Sequence, residues 1–425
     1  MINNLVAVSS LLLLCFGCIS EFETDFADAP IRLVIEGNIN TEPGPYQVRV
    51  THTHRFDFSA NHLQDSIVSG LQLSIADDLG NEEFLHEIGS GVYTTATDGS
   101  GMTGKVGRTY ILTIISNEGT IYKSTPQKIQ PVAPVSRVEV EKRSGRIPTP
   151  DGLRPSVFSF PINPAINRLA WFGNLLTNPE ELAVIPEELI GEPAYLIRQI
   201  PYTTEPIQDI FPESAGNTFD APNSHYTISI ETNDTPGETN FYMWTIRVHF
   251  LVTSYPEYYT IRGFKNQTIS FINIPKSCCS ECYATYTAPV FSIGSDRLVD
   301  GNTICSVVGA IPFNNFIFQN VAYIEVMQHS LNHVAFNNLN EIKRQQNDVG
   351  GLFDRSPALL ISNIYNVDDP DDLALGYFWA SDVKSKGSLV YDGGFNQEFI
   401  ISNDCRTLNT DFLKISTTKP DSWSN

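Results

Sequence analysis

From Ile31 onward, apolar and polar residues alternate in short runs broken by turn chemistry. Six such runs are 32–36 (RLVIE), 46–50 (YQVRV), 71–75 (LQLSI), 91–95 (GVYTT), 110–114 (YILTI) and 120–124 (TIYKS). A period of two sends successive side chains to opposite faces of a pleated strand, so each run predicts a half-buried β-strand. The segments between them, 42–45 (EPGP), 77–81 (DDLGN) and 100–101 (SG), hold residues that fix φ or tolerate positive φ and so turn the chain. Six or seven strands in this length predict an immunoglobulin-like β-sandwich over residues 29–132, without the paired cysteines of antibody domains.

Residues 130–135 (QPVAPV) carry two prolines, which deny a helix and a central strand alike, and are read as a linker. Beyond it, residues 133–425 predict a larger β-rich domain with a few short helices. Runs at 226–230 (YTISI), 241–253 and 268–272 (TISFI) read as strands. Asn178 before Pro179, Glu180 and Glu181 has the cap, proline and early acids of a helix start, and Asn332 opens a helix over 333–346.

Ahead of the strands, residues 5–16 form an uncharged apolar run, shorter than the roughly 20 residues a helix needs to cross a bilayer and suited to the core of a signal peptide, 1–17. It ends in Cys15, Phe16, Gly17 and Cys18, which resembles the lipobox of bacterial lipoproteins and makes Cys18 the expected lipidated N-terminus. No Lys or Arg precedes the run, and Cys15 stands where the lipobox usually has Leu. Residues 18–28 are polar and acidic and read as a tether, each ten extended residues of which reach at most about 35 Å. These acids resemble the signal that sends Bacteroidetes lipoproteins to the outer face of the outer membrane.

The 425 residues include 48 Asp plus Glu against 27 Lys plus Arg, a net charge of −21. Such a surface repels phosphate backbones, so no nucleic-acid partner is expected.

Candidate chemistry is sparse. Cys278, Cys279, Cys282, Cys305 and Cys405 are disulfide candidates for an oxidising compartment, read as two bridges and one free thiol, with at least one of the first three joined to Cys305 or Cys405. A metal or redox role for the Cys278–Cys279–Cys282 group lacks the four ligands of a structural zinc site. His329 and His333 are four apart, but the Asn332 cap leaves His329 outside the helix, and both are expected at the surface. His52 and His54 lack a third ligand. Asp368, Asp369, Asp371 and Asp372 flank Pro370 and offer a weak calcium candidate against an ordinary acidic turn. Trp244, Trp379 and Trp423, with Tyr242, Tyr377 and Phe378, are either a stacking platform or core, and aromatics in strands favour core. No nucleophile elbow, phosphate loop or zinc-protease motif is present.

Several segments in order, 33–39 (LVIEGNI), 43–48 (PGPYQV), 89–93 (GSGVY), 107–110 (GRTY), 238–244 (ETNFYMW), 350–354 (GGLFD), 363–372 (NIYNVDDPDD), 375–381 (LGYFWAS), 404–406 (DCR) and 419–423 (KPDSW), resemble the Bacteroidetes surface-lipoprotein family DUF4249. The family usually has a second cysteine shortly before the position of Cys405; residues 399–403 (FIISN) have none. The resemblance implies an outer-membrane lipoprotein encoded beside TonB-dependent transporters. The expected function is therefore a non-enzymatic accessory or ligand-capturing subunit of such a transporter, with no cofactor. A scaffold subunit of an outer-membrane complex is the alternative, and a surface hydrolase the third reading.

Overall fold

The computed structural model describes residues 31–53, 67–144, 195–201, 224–347 and 362–391, with short breaks at 238, 266–267, 274–275, 300, 314, 370–371 and 373, and then 403–409, 413–420 and 423. The signal peptide, Cys18, the tether, His54, the helix start at Asn178, Pro370 and Asp371 lie outside these residues.

The first half gives β1 (Leu33–Asn40), β2 (Gln47–His52), β3 (Gln72–Asp77), β4 (Glu82–Gly89), β5 (Val92–Thr94), β6 (Thr109–Ile115), β7 (Ile121–Ser124) and β8 (Gln127–Lys128). The second gives β9 (Val135–Ser144), β10 (Tyr195–Pro201), β11 (Ser224–Asn233), β12 (Phe241–Thr253), β13 (Thr260–Lys265), β14 (Thr268–Asn273), β15 (Glu281–Ser295) and β16 (Thr303–Pro312). After them come the short helix α1 (Asn315–Phe318), β17 (Ala322–Leu331), helix α2 (His333–Asn347), β18 (Ile364–Asn366), β19 (Leu375–Ser381), β20 (Val383–Val390) and β21 (Leu413–Ser416). The protein is mainly β.

The first sheet runs β18-β7-β6-β3-β4-β5-β2-β1-β19, with β8 on β6. β4 pairs with β3 through Glu82–Leu85 and with β5 through His86–Gly89, where the register shifts. The sheet folds over at this strand, and one core cluster joins Ile35, Val48 and Val50 of one arm to Leu73, Ile75, Leu112 and Ile114 of the other. Two of its edge strands arrive from far along the chain. β18 pairs with β7, and β19 lies parallel to β1. The approach of β19 requires Gly376, at φ +87°, because a Cβ there would run into the Ile35 carbonyl. The sandwich read as residues 29–132 is thus not self-contained: alternation marks a strand, but the partner that pairs it is chosen in space.

A second sandwich packs the five-stranded sheet β20-β17-β12-β15-β21 over the three-stranded sheet β16-β11-β9. Central strand β12 serves two cores. Trp244, Ile246, Val248, Phe250 and Val252 face the sandwich interior with Ile228, Ile230, Val308, Ile324 and Val326. On its other face Phe241 and Met243 meet Ala335 and Leu339 of α2 and Tyr377 of β19. Helix α2 starts where expected, its Ala335 N–H donating to Asn332 Oδ1 at 2.8 Å, a side-chain cap. A third sheet, β10-β14-β13, completes the described strands.

Candidate functional site

The chain crosses between the two sandwiches at residues 129–135, between β17 and β18 by way of α2, and at Asp382, the one residue between β19 and β20. The proline segment read as a linker is a half-buried seam: Val132 and Val135 point inward, while Gln130, Pro131 and Pro134 are exposed. Prolines donate no backbone hydrogen bond, but their neighbours' carbonyls still need donors when dry. Ser330 Oγ donates to the Gln130 carbonyl (2.6 Å), Gln328 Nε2 to Ala133 (2.7 Å) and Thr232 Oγ1 to Pro134 (3.1 Å).

Asp382, at 1% exposure, pins the last of these crossings to the first. It accepts from Thr41 Oγ1 at 2.8 Å and from the Val132 N–H at 3.0 Å. Its own N–H donates to Ser330 Oγ at 2.9 Å, and Lys384 Nζ stands 3.5 Å from its carboxylate. Removing a charged acceptor leaves buried donors unpaired, so Asp382→Ala is expected to destabilise by about 2–3 kcal/mol. Urea midpoints of the variant and the wild type check it, and equal midpoints would contradict the pinning role.

On the face of β12 turned away from the sandwich interior lies a cluster of ionisable groups. Arg247 reaches Glu325 Oε2 (3.2 Å) on β17 and Glu42 Oε2 (3.1 Å) from the first sandwich. His249 Nε2 is 3.2 Å from the same Glu325 oxygen, and its Nδ1 is 2.9 Å from Thr285 Oγ1. Burial alone would raise the Glu325 carboxyl, but the His249 hydrogen bond and the Arg247 charge outweigh it and hold the acid below its ordinary value. A hydroxyl–imidazole–carboxylate series resembles a nucleophile with its base. Here the carboxylate is neutralised by arginine and stays ionised, which suits locking the sandwiches rather than shuttling protons.

The histidines correct the sequence reading. His329 is not on the surface: it is 5% exposed on β17, 3.0 Å from Thr245 Oγ1 and 3.3 Å from Ser381 Oγ. Strand β17 is buried on both faces over most of its length, so position four residues before a helix gave no clue to burial. His333 is exposed at the start of α2, its ring edge-on to Phe241 at 5.3 Å.

Four of the cysteines gather at the end of the second sandwich where β15 begins, and Cys305 stands toward the opposite end. Cys282 of β15 is bonded to Cys405, and Cys278 to Cys279. Cys305 of β16 is a free, exposed thiol. The Cys278 and Cys279 sulfurs and an Asp404 oxygen lie within 4.8 Å of one another. With the sulfurs bonded to each other they offer no thiolate to a metal, and Asp404 is held by Arg406 at 2.6 Å. Cys305 opens on a shallow groove of about 210 Å³ lined by Arg137, Glu139, Glu231 and Ser229.

The aromatic residues are structural. Tyr242 and Trp244 stack at 5.8 Å, both 2% exposed, and Phe378 is fully buried. Tyr377 is also buried, while Trp379 and Trp423 are half-buried, the latter edge-on to Tyr283. In the acidic loop, Asp372 accepts from Tyr122 Oη (2.9 Å) and Asn366 Nδ2 (3.0 Å), which ties β18 to β7. Burial and this carboxylate push the Tyr122 hydroxyl up to about 12. Asp368 donates its N–H to Asn366 Oδ1 in a local turn. Asp372 is thus committed to a tyrosine and an asparagine.

Sequence reasoning missed Asp382, Arg247, Glu325 and His249. Arg247, Glu325 and His249 sit within ordinary strand patterns and Asp382 between two strands, and only the pairing of distant strands gives them their partners. Among the described residues no helix is long and apolar enough to cross a membrane. The sequence model of one family, described as "Domain of unknown function (DUF4249)", matches residues 19–171 and 172–387. No curated protein and no solved structure matches the chain.

Proposed function

Since the chain belongs to the DUF4249 family, we propose that it is a lipid-anchored protein of the outer-membrane surface, working as a non-enzymatic, partner-binding subunit of a β-barrel complex of the TonB-dependent transporter type. The observation that carries this reading is the fate of the aromatic residues. Trp244, Tyr242 and Phe378, the candidates for a stacking platform, are spent on cores, so recognition falls to the outer surfaces of two interlocked sandwiches. Phe84 and Ile88, about 60% exposed, are among the apolar side chains open to a partner there, and exposed apolar surface favours protein contact where it is contiguous. Scaffolding is accordingly placed ahead of ligand capture.

The anchor in this reading is Cys18, one residue before the start of the family match. Several acyl chains on one cysteine hold a protein firmly where a single chain does not. Anchored proteins meet one another at high effective concentration, so modest interfaces suffice. Pull-down of the tagged chain from outer membranes in mild detergent is expected to recover a large β-barrel. Cys18→Ala is expected to abolish palmitate labelling and membrane fractionation. Recovery of the chain alone, with and without crosslinking, would overturn the partner; a labelled Cys18→Ala chain would overturn the anchor.

A further inference from the structure

At one end of the second sandwich two loops meet: the one joining β11 to β12 and the one joining β15 to β16. Each contributes an aspartate that the fold buries, Asp234 at 7% and Asp296 at 1% exposure. The Asn240 side chain links them, its Nδ2 donating to Asp234 Oδ1 at 3.2 Å and to Asp296 Oδ2 at 3.0 Å. Asp234 also accepts from Tyr242 Oη at 2.7 Å and from the Gly301 N–H at 2.9 Å, and Asp296 from the Asn240 N–H at 2.8 Å. All of these donors are neutral. Among the described residues no Lys, Arg or His forms an ion pair with either acid.

A second feature stands apart from this network. Asp296 Oδ1 is buried and has no hydrogen-bond partner. Its carboxylate is fixed by the two Asn240 bonds to Oδ2, so the orphaned oxygen is held beside the same two loops. A buried carboxylate oxygen without donor or counter-charge is among the most expensive arrangements in a protein interior. Two carboxylates sharing a donor compound it, and burial together with their charge pushes the Tyr242 hydroxyl well above its ordinary value. Seated beside Asp296 Oδ1, a cation would satisfy the orphan and neutralise both acids.

We propose that the Asp234–Asn240–Asp296 junction is a binding site for a hard divalent cation of the calcium class, which clamps the β11–β12 loop to the β15–β16 loop. Oxygen donors suit calcium: two carboxylates, with the Asn240 amide able to present its oxygen after a half-turn and water completing the shell. The site is distinct from the Asp368–Asp372 loop, where Asp372 is already committed to Tyr122 and Asn366.

The test uses the mature chain stripped with EDTA. Extracellular calcium modules bind at about 0.1–1 mM, so 10 mM Ca²⁺ is expected to raise the melting temperature by roughly 2–3 °C. Tb³⁺ is expected to give luminescence sensitised by excitation of Tyr242, which bonds Asp234, and of Trp244 stacked on it. Asp296→Asn keeps an oxygen acceptor for Asn240 and removes the charge; it should lose both the thermal shift and the Tb³⁺ signal. Asp234→Asn serves the same purpose if the first variant does not fold. Wild-type protein that shows neither shift nor luminescence overturns the proposal by itself. So does a shift of equal size in a folded aspartate variant, which would place the cation elsewhere on this acidic chain.

Discussion

Replacing Cys405 by alanine is expected to lower the stability of the oxidised chain by about 5 kcal/mol on the chain-entropy estimate, with measured losses often smaller. The bridge from Cys282 closes a loop spanning 123 residues, and long loops gain the most from closure because the unfolded chain loses the most freedom. Both cysteines are fully buried, so the variant also leaves a cavity and a lone thiol in the second core. The consequence is local as well as global. β21 is held to β15 by a register of only four residues, Tyr283–Tyr286 against Leu413–Ser416, and without the bridge this edge should exchange its amide protons first. Denaturant unfolding in non-reducing buffer measures the loss, and peptide mapping without reductant reads the connectivity. Cys305→Ser serves as control and should change stability by less than about 0.5 kcal/mol, as expected of an exposed thiol. Equal stability of Cys405→Ala and the wild type would sink the claim.

The second large effect is a dependence on pH set by His329. Burial, and then the Arg247 charge, lower it from 6.5 to about 4. The unfolded chain therefore takes up this proton near pH 6.5, whereas the folded chain holds the ring neutral until near pH 4. Between those values the unfolded state binds more protons, so stability present above pH 6.5 is lost as the pH falls through the window. A displacement of this size corresponds to on the order of 3 kcal/mol. His329→Gln keeps hydrogen-bonding atoms for Thr245 and Ser381 but does not titrate, and its urea midpoint should stay flatter from pH 6.5 to 4. Glu325 acts further down the scale. Its depressed carboxyl contributes stability above the ordinary glutamate value, and that contribution fades as the pH falls towards its folded-state value. If the wild type and His329→Gln lose stability in parallel, the buried neutral imidazole is not the cause.

Much of the strand content could be read from the chain, and the exceptions are informative. β4 escaped notice because only Leu85 of its eight residues is buried, so it has no alternation to detect. It is a strand because β3 and β5 pair with it from either side. The prolines at 131 and 134 were sound evidence against helix and central strand. They said nothing of how the segment is fastened: Val132 and Val135 are buried while both prolines stay exposed, and Ser330, Gln328 and Thr232 donate to its carbonyls.

By itself, then, the order of residues determined what is local: the period-two runs, the Asn332 cap of α2, the glycine and proline turns, and the inward-facing aromatic positions of β12. These depend on neighbours a few residues away, whose geometry a strand or helix repeats. The tertiary structure alone decided that β18 and β19 complete the first sheet, that Asp382 pins two crossings, that His329 is dry, and that Asp234 and Asp296 share one buried junction. Each depends on which distant backbones pair. That choice is made by the summed burial and hydrogen bonding of whole sheets, and no window of sequence contains it.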